Sequence, residues 1–493
     1  MSLWLDTCKL PEFGSLKTDL ACDVLIMGGG LAGLLTAFLL KQEGVDAVVI
    51  EANRIASGTT GSTTGKITSQ HGLCYHNFMN QIGKEKTLQY KIANEKAIQT
   101  YRDIINQYNI ECDFETKPAF VYTTEPKYAE SIKEEAEVAK DLGIDAEYLE
   151  GKLPLPFHTE CAVKFNNQAQ FHPVKFISKI IEDLTIYEKT KAVEIDTENM
   201  AVRTTGGIIK ASQIVFATGY PFNFTPGYYF LRMHQSRSYL LALELKSESP
   251  RIDGMYLDVN EENGYTLRTY NGLLLFGGGG HRTGENPGGK YEGLIKAANK
   301  YYPGCEVKYK WSAQDCVSLD DIPYIGQFSN STPSIYVATG FRKWGMTGSM
   351  VGAKIITDMI LDKNETKEYR EIFNPQRFNL SASATTLFKD TVKAVKGLAK
   401  EKFTLPKEKL QEVQKGEGKI IEYQGEKVGV YKDEEGTVYT VSTKCSHLGC
   451  QLEWNQDEKS WDCPCHGSRF DIKGFVIDNP AIHPVNYTDK EES

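Results

Sequence analysis

Cysteine and histidine side chains cluster near the C-terminal end of the 493-residue chain. The cluster has two segments, the first with Cys445, His447 and Cys450, and the second with Cys463, Cys465 and His466. A [2Fe–2S] centre with two cysteines on one iron and two histidines on the other needs such a ligand set. A structural zinc site is the alternative, but it usually pairs cysteine with cysteine and histidine with histidine, whereas each segment here mixes the two types. The spacing therefore favours an iron–sulfur cluster.

The two segments resemble the cluster loops of a Rieske domain of the respiratory-complex type. The resemblance covers about residues 411–493 and rests on Cys-x-His-x-x-Cys followed by Cys-x-Cys-His-Gly-Ser. It implies four iron ligands, which are Cys445, His447, Cys463 and His466. It also implies that Cys450 and Cys465 form a disulfide between the two cluster loops.

Two positions after the second segment bear on the redox potential. In the Rieske family a serine at the position of Ser468 hydrogen-bonds a bridging sulfide, and high-potential members have a tyrosine at the position of Phe470. Losing a hydrogen bond to sulfur leaves the reduced, more negative cluster less stabilised. We therefore predict a potential in the lower or middle part of the Rieske span of about −150 to +300 mV.

The N-terminal part of the chain has the pattern of a dinucleotide-binding unit. A strand is predicted over 23–27, a helix over 34–42 and a second strand over 47–50. A GxGxxG motif precedes the helix and an acid ends the second strand, and these residues are Gly28, Gly30, Gly33 and Glu51. Glycines allow the backbone to approach a pyrophosphate, and the acid accepts from a ribose hydroxyl. These features alone leave NAD and FAD open.

Later stretches resemble the D-amino-acid-oxidase-like family of FAD oxidoreductases and favour FAD. Residues 214–219 and 334–340 each read as a strand ending in Ala-Thr-Gly, and 315–326 contains Asp-Asp-Ile-Pro-Tyr-Ile-Gly. The resemblance covers about residues 20–365. It implies further FAD contacts from Thr64, Gly65, Val193, Thr218, Gly219, Gly340, Gly345, Met346 and Thr347. A helix predicted to start near Gly348 would point its N-terminus at the flavin and stabilise negative charge there.

The predicted fold class is α/β plus α+β, followed by a small all-β domain. The predicted domains are a FAD-dependent oxidoreductase over 1–380, a linker over 381–410 and a Rieske domain over 411–493. By resemblance, the Rossmann-type FAD-binding part is discontinuous, at about 20–90, 160–225 and 330–365. The substrate part, about 91–159 and 226–329, would be built on an antiparallel sheet. Helical patterning covers 84–109 and 126–142, and strand patterning covers 238–245 and 273–277.

Three residues are candidates for catalysis. Lys66 lies in the segment that passes the flavin in the family and would stabilise anionic reduced flavin, with a structural or surface lysine as the alternative. Arg268 would bind a substrate carboxylate bidentately, although a salt bridge on the sheet surface is the commoner role for such a residue. Trp344 would line an amine pocket through cation–π contacts.

Three other residues are weaker candidates. His71 follows Lys66 in the same segment, but such a histidine is more often packed or solvated than a catalytic base. Tyr239 and Tyr265 would join Trp344 in an amine pocket. Aromatic residues make up 11% of the chain, so core packing explains these two tyrosines equally well.

The resemblance implies oxidation of the C–N bond of an amine or amino acid. A hydride passes from the substrate carbon to the flavin and leaves an imine that water hydrolyses. Because the flavin domain is fused to a one-electron centre, we expect electrons to pass from FAD to the cluster and on to an external acceptor, either a protein or a quinone. The enzyme would then be a dehydrogenase rather than an H₂O₂-producing oxidase.

Two other functions remain open. The chain could relay or sense electrons between proteins without a small-molecule substrate. A Rieske oxygenase is the weaker option, because it needs a separate mononuclear iron bound by two histidines and a carboxylate. No pair of histidines outside the cluster region has a close spacing with an acidic partner.

Composition and charge set the remaining expectations. No apolar stretch reaches 18 residues, so no transmembrane segment is predicted, and the first residues lack the pattern of a secretory signal. Seven cysteines are scattered outside the cluster region, which is typical of a cytoplasmic protein. The net charge is −9, and residues 411–493 contain nine basic and 16 acidic side chains. This balance argues against binding to nucleic acid.

The predicted linker contains one amphipathic pattern. Apolar residues recur at helical spacing from Phe388 to Ala399, and lysines follow on a neighbouring face. A short helix with its lysines in solvent is the favoured interpretation. A basic helix resting on an anionic membrane is the alternative.

Overall fold

The computed structural model describes residues 1–222, 226–260, 262–285, 288–377, 410–423 and 425–487. The amphipathic helix predicted between Phe388 and Ala399 lies outside these ranges. The chain divides into two compact units. The first comprises Met1–Pro221, Ser238–Gly280 and Leu294–Phe378, and the second comprises Phe222–Arg237, His281–Gly293 and Asn379–Ser493.

The described residues form seven α-helices. They are α1 (Leu3–Thr7), α2 (Leu31–Gln42), α3 (Cys74–Gln107), α4 (Ala129–Asp141), α5 (Pro173–Ile180), α6 (Lys290–Tyr301) and α7 (Gly345–Leu361). Short 3₁₀ helices cover Thr59–Ser62, Pro126–Tyr128, Tyr229–Leu231, Arg370–Phe373 and Leu410–Glu412. No helix among the described residues is long and apolar enough to cross a lipid bilayer.

The strands of the first 339 residues are β1 (Leu20–Met27), β2 (Ala47–Ile50), β3 (Lys66–Ile67), β4 (Glu115–Thr123), β5 (Ala146–Glu150), β6 (Cys161–Gln170), β7 (Thr185–Tyr187), β8 (Ala192–Asp196), β9 (Ala201–Thr204), β10 (Ile208–Phe216), β11 (Met233–Glu244), β12 (Met255–Asp258), β13 (Thr266–Tyr270), β14 (Leu273–Arg282), β15 (Glu306–Ser318), β16 (Tyr324–Gln327) and β17 (Ile335–Thr339). The later strands are β18 (Glu417–Tyr423), β19 (Glu426–Lys432), β20 (Val438–Ser442), β21 (Glu453–Asn455), β22 (Ser460–Asp462), β23 (Arg469–Phe470) and β24 (Val476–Asp478).

The first sheet has the character expected of a dinucleotide-binding domain. Its strand order is β16-β17-β10-β1-β2-β7, with β9 beside β10 and β8 beside β9. The central neighbours from β17 to β7 are parallel, whereas β16 is antiparallel to β17. Every residue of β2 and β17 is buried, because parallel strands covered on both faces need continuous apolar runs.

The helix at the end of this sheet starts earlier than predicted. α7 begins at Gly345, with Trp344 as its N-cap, rather than near Gly348. The polar and glycine-rich start of the helix hid its beginning in the sequence, because helical periodicity becomes clear only where apolar residues recur. The earlier start brings Gly345, Met346 and Thr347 into the first turn of the helix.

The second sheet of the first unit has the order β15-β11-β14-β13-β12-β4-β6-β3, with β5 beside β6. Most described pairs are antiparallel, as expected, but β12 and β4 are parallel. Parallel neighbours cannot be joined by a tight hairpin, and more than 130 residues of chain separate these two strands. The sheet is therefore mixed rather than purely antiparallel.

The second unit contains two small antiparallel sheets in its C-terminal part. One has the order β18-β19-β20 and the other runs from β21 to β24 in sequence order. Buried side chains of Trp461, Phe470 and Leu452 pack around the cysteines that the sequence singles out. This part of the chain is all-β, as predicted.

Candidate functional site

The glycine motif forms a close turn between β1, β10 and α2. Gly28 has a φ of 114°, and a Cβ there would lie 2.4 Å from the carbonyl oxygen of Ala217. A Cβ on Gly33 would lie 2.0 Å from the carbonyl oxygen of Gly28. Gly30 is the N-cap of α2 and provides no side-chain cap. A side chain at any of these positions would push the backbone apart or fill the space above the helix N-terminus, so the turn fits a bound pyrophosphate.

The acid at the end of β2 adjoins this turn. The carboxylate of Glu51 accepts hydrogen bonds from Gly29 N and Asn53 N, both at 2.8 Å. Burial raises the pKa of Glu51, and the hydrogen bonds from these backbone donors offset only part of the rise. The turn and Glu51 thus form one site, as the motif predicts, and the role of Glu51 toward a ribose remains a prediction.

The segment containing Gly65 and Lys66 lies against the second sheet. Gly65 has a φ of 69°, and a Cβ there would lie 2.7 Å from the carbonyl oxygen of Phe171 and 3.0 Å from Nη2 of Arg268. Thr64 precedes this close approach and is half-buried. Glycine is therefore needed at 65 both for backbone conformation and for space. Three predicted site residues, Gly65, Lys66 and Arg268, come together here.

The surroundings of Lys66 lower the pKa of its side chain. Its Nζ donates to the carbonyl oxygen of Tyr256 at 3.0 Å and to the hydroxyl of Thr266. Burial, together with the nearby charge of Arg268, lowers the pKa of Lys66 to about 7. Near neutral pH the side chain can therefore accept a proton as well as donate one.

Arg268 is buried, so the prediction of a salt bridge on the sheet surface is wrong. Only 1% of the residue is exposed, because its strand faces inward rather than toward solvent. Its Nη2 donates to the carbonyl oxygen of Phe171 at 3.3 Å, whereas Nε and Nη1 have no hydrogen-bond partner among the described residues. Burial lowers the pKa of Arg268 to about 9. Because these two nitrogens can still donate hydrogen bonds, the buried guanidinium can bind an anionic group of a ligand.

The start of α7 is tied to the segment after Lys66. Trp344 stacks on His71, with ring centroids 4.7 Å apart and an interplanar angle of 20°. His71 also bonds the hydroxyls of Tyr90 and Thr347. Burial lowers the pKa of His71 to about 3, so the ring stays neutral. This environment supports a packing and positioning role for His71, the interpretation that the sequence favoured over a base.

The remaining predicted FAD residues lie at strand ends of the first sheet. Val193 is the extra residue where the register between β8 and β9 shifts. Gly219 and Gly340 follow β10 and β17 and have φ values of 77° and 74°. The hydroxyls of Thr218 and Thr339 donate to backbone carbonyls in these turns, Thr218 to that of Tyr220 and Thr339 to that of Gly219. FAD contacts from these residues remain predictions.

The two tyrosines proposed for an amine pocket pack with other aromatic rings or in the core. Tyr239 is fully buried. Tyr265 stacks on Phe276 with centroids 4.8 Å apart and meets Tyr301 edge-on at 5.9 Å. Their role toward a substrate remains a prediction.

The sequence reading missed the contribution of the N-terminal helix. The indole Nε1 of Trp4 donates to the carbonyl oxygen of Thr63 at 2.6 Å, and the hydroxyl of Ser2 donates to that of Gly61. Nε1 of Trp311 donates to the carbonyl oxygen of Ser62 at 2.9 Å. Three consecutive carbonyls before Thr64 are thus held by residues remote in sequence. Only the apolar character of residues 3–5 signalled that this helix is buried.

In the second unit, both cysteine and histidine segments form closed turns. Cys445 N donates to the carbonyl oxygen of Cys450 at 2.9 Å, and Cys463 N donates to that of Ser468 at 2.8 Å. The side chains of Cys445 and Cys463 lie close enough to interact with one another. The rings of the two predicted histidine ligands, His447 and His466, have centroids 4.9 Å apart.

The four predicted ligands therefore lie as two adjacent cysteines and two adjacent histidines. Cys450 and Cys465 form a disulfide across the two turns, with Cα atoms 6.6 Å apart. This donor set fits a [2Fe–2S] cluster with two cysteines on one iron and two histidines on the other. The individual ligand assignments remain proposals.

The two positions linked to the potential lie beside these cysteines. The hydroxyl of Ser468 accepts from Ala481 N at 3.0 Å, and the side chain of Ser468 lies near that of Cys445. Phe470 is fully buried and packs with Cys445 and Cys463 in one apolar core. Its ring offers no donor to sulfur, consistent with the lower potential that we predict.

Solved structures resemble about three quarters of the chain. Glycine oxidase from Geobacillus kaustophilus superposes with a TM-score of 0.62 at 17% identity, covering 73% of this chain and 99% of that one. L-Proline dehydrogenase from P. horikoshii superposes with a TM-score of 0.61 at 16% identity, covering 74% and 99%. At this level of identity the likeness establishes the fold.

Sequence comparisons establish the family. The FAD dependent oxidoreductase family matches residues 23–359, and the Rieske [2Fe-2S] domain matches residues 404–488. The chain is 37% identical to YhfW of Bacillus subtilis (strain 168), named as a Rieske 2Fe-2S iron–sulfur protein, over 99% of this chain and 97% of that protein. It is 23% identical to gamma-glutamylputrescine oxidoreductase of Escherichia coli (strain K12), over 71% and 86%. The chain therefore belongs to the FAD-dependent oxidoreductase family and combines its FAD-binding domain with a Rieske domain that binds a [2Fe–2S] cluster.

Proposed function

We propose that the protein is a dehydrogenase that oxidises a C–N bond of an amine or amino acid. Electrons would pass from FAD to the Rieske cluster and then to an external acceptor, a protein or a quinone. Three relatives carry names that refer to nitrogen compounds of this kind: gamma-glutamylputrescine oxidoreductase, glycine oxidase and L-proline dehydrogenase. Their names support the substrate class.

The observation that carries the proposal is the environment of Arg268. A buried guanidinium costs free energy unless a hydrogen-bonded anion compensates it. Nε and Nη1 of Arg268 have no hydrogen-bond partner among the described residues, and the residue adjoins Gly65 in the segment that passes the flavin in the family. A carboxylate would accept from these nitrogens in a planar, bidentate arrangement. We therefore favour amino acids or carboxylated amines over simple amines.

Lys66 supports the same chemistry. A substrate ammonium must lose a proton before a hydride can leave the neighbouring carbon, since the nitrogen lone pair forms the new C=N bond. With a pKa of about 7, Lys66 can take this proton near neutral pH. FAD, when bound, supplies the acceptor for the hydride, and water hydrolyses the imine to a carbonyl compound and ammonia or an amine.

The fusion with the Rieske domain supports a dehydrogenase rather than an oxidase. A [2Fe–2S] cluster, when bound, accepts one electron at a time. The two electrons of each substrate oxidation would leave by this route instead of reducing O₂. The buried cysteine and histidine groups of the second unit are the residues that would hold the cluster.

The test is anaerobic mixing of the holoprotein with a panel of amines, amino acids and N-substituted amino acids. Flavin bleaching reports substrate oxidation, and electron paramagnetic resonance of the frozen sample reports reduction of the cluster. We expect a carboxylated compound to bleach the flavin and produce a Rieske-type signal. Rapid stoichiometric H₂O₂ formation in air with a slowly reduced cluster would contradict the dehydrogenase.

A second arm separates the enzyme from an electron relay. If no compound bleaches the flavin while dithionite reduces both cofactors, the result favours a relay between other proteins over an enzyme. The matched variant is Arg268→Lys, which keeps the charge but not the planar fork of donors. Selective loss of carboxylated substrates in this variant would support Arg268 as their binding residue.

A further inference from the structure

The second unit contains more than the Rieske domain. Besides Asn379–Ser493 it includes Phe222–Arg237 and His281–Gly293, which lie far earlier in the chain. Both early stretches fall within the region matched by the FAD dependent oxidoreductase family, residues 23–359. We refer to residues 226–237 as the first clamp segment and to residues 281–285 and 288–293 as the second. Their contacts with the cluster turns are all internal to the second unit.

Gln235 of the first clamp segment binds the turn that carries His466. Its Nε2 donates to the carbonyl oxygens of His466 at 3.0 Å and Asn479 at 2.8 Å. Gly467 has a φ of 81°, and a Cβ there would lie 2.5 Å from Cβ of Gln235. Glycine at 467 therefore permits both the turn and the close approach of Gln235.

Arg282 of the second clamp segment binds the same turn from another side. Its Nε donates to the carbonyl oxygen of Pro464 at 3.2 Å and its Nη2 to that of Cys465 at 3.0 Å. A Cβ on Gly284 would lie 2.5 Å from the backbone nitrogen of Pro464. The carbonyls of three consecutive residues, 464 to 466, thus accept hydrogen bonds from the clamp segments.

A buried ion pair adds to these contacts. Arg237 of the first clamp segment binds Glu458 through two parallel N–H···O contacts, with Nε–Oε2 at 2.6 Å and Nη2–Oε1 at 2.5 Å. The two side chains are only 3% and 12% exposed. Separating this pair would leave two buried charges uncompensated, which is strongly unfavourable.

The neighbouring turn residue binds the second clamp segment. The carboxylate of Asp457 accepts from Gly289 N at 3.2 Å and Lys290 N at 2.9 Å, at the start of α6. Acceptors are favourable at a helix N-terminus, where backbone N–H groups lack partners within the helix. Both clamp segments are thus fastened at the β21–β22 turn as well as at the cluster turn.

Phe230 places the first clamp segment against the predicted histidine ligands. Its ring centroid lies 6.1 Å from that of His447 and 5.9 Å from that of His466, edge-on in both cases. The two histidine rings therefore pack on a side chain that belongs, by sequence, to the oxidoreductase domain.

We propose that the two clamp segments are an integral part of the cluster module and hold the second cluster turn in its closed conformation. Gln235 and Arg282 would be positioning residues that hold the second cluster turn through its backbone carbonyls.

The test measures hydrogen–deuterium exchange in the full-length holoprotein. The backbone amides of Cys463 and Gly467, which donate within the second cluster turn, report its opening. We expect Gln235→Ala and Arg282→Met to accelerate exchange at these amides at least tenfold, with faster exchange in the first clamp segment as well. Arg282→Lys keeps the charge but loses the planar set of guanidinium donors, so its exchange rates should lie between those of wild type and Arg282→Met. Arg203→Met removes an exposed ion pair with Glu194 and should change nothing at the turn.

Unchanged exchange at the cluster turn in Gln235→Ala and Arg282→Lys, at normal iron content, would overturn the proposal. This test needs no substrate and no electron transfer from flavin, so it stands or falls independently of the proposed dehydrogenase. Normal iron content also shows that a variant has folded. If Arg282→Met does not fold, Arg282→Lys is measured in its place.

Discussion

The indole ring of Trp4 lies 5.2 Å from the guanidinium carbon of Arg268. Trp4 is fully buried, and its Nε1 also binds the carbonyl oxygen of Thr63, just before the Gly65–Lys66 pair. One side chain therefore contacts both the segment that passes the flavin in the family and the candidate carboxylate-binding residue. The match to the FAD dependent oxidoreductase family starts at residue 23, so this contact comes from a helix outside the shared domain.

Shortening Trp4 should loosen this arrangement. We expect Trp4→Ala to lower the free energy of unfolding by about 3–5 kcal/mol, because a large buried ring leaves a cavity. Trp4→Phe should cost less, about 1 kcal/mol, because it loses mainly the hydrogen bond to Thr63. Urea unfolding measures both effects, and FAD titration of the apoproteins should show weaker binding in the alanine variant. Equal stability of Trp4→Ala and wild type would contradict the packing described here.

Arg268 should affect substrate binding and protein stability in opposite directions. We expect Arg268→Met to raise KM for a carboxylated substrate about tenfold to a hundredfold, since hydrogen bonds to charged groups contribute about 1.5–3 kcal/mol. The same variant should leave the apoprotein as stable as wild type or make it more stable, because a poorly compensated buried charge is removed. Steady-state kinetics and urea unfolding measure the two effects. A large loss of stability without any change in KM would indicate a purely structural arginine.

Lys66 should make stability depend on pH. Its pKa is lowered from 10.5 to about 7 in the folded protein, so the unfolded chain binds more protons between these two values. The free energy of unfolding should therefore rise with pH through this window, with a contribution from Lys66 of at most about 1.4 kcal/mol per pH unit. Below the lower value the destabilising effect of Lys66 is fully present, and above the upper value it is gone.

The measurement is urea unfolding of the apoprotein at a series of pH values, for wild type and Lys66→Met. The stability advantage of the methionine variant should shrink steadily as the pH rises from about 7 to 10.5. Lys9→Met, at an exposed position, serves as the control and should track wild type. A constant difference between Lys66→Met and wild type at all pH values would show that Lys66 is not held in the environment described.

Phe470→Tyr should raise the potential of the cluster. In Rieske domains of high potential, a tyrosine at this position donates a hydrogen bond to a cysteine sulfur. The hydroxyl introduced here would do the same and would stabilise the more negative reduced state of the cluster. One such hydrogen bond of about 1 kcal/mol corresponds to roughly 40 mV for a one-electron couple. A redox titration followed by electron paramagnetic resonance measures the shift. Phe475→Tyr, at a side chain that is 57% exposed, should leave the potential unchanged.

Local spacing in the sequence determined the two cofactor sites. The glycine motif and each cysteine and histidine segment are short continuous stretches, and Glu51 follows the motif after one helix and one strand, so spacing along the chain is enough to point to both sites. The start of α7 was less predictable because its first turn lacks the apolar periodicity that marks helices. The parallel pairing of β4 with β12 was missed because strand neighbours remote in sequence leave no local pattern.

Only the tertiary structure decided how remote residues meet. Arg268 has the same local sequence whether its strand faces solvent or the interior. In place of the expected surface salt bridge, the structure has a buried cation whose Nε and Nη1 have no hydrogen-bond partner among the described residues. Trp4, Gln235 and Arg282 have no motif, because each acts on the backbone carbonyls of a distant turn. Such contacts depend on sheet order and register, which arise from the packing of the whole unit rather than from the spacing of the residues concerned.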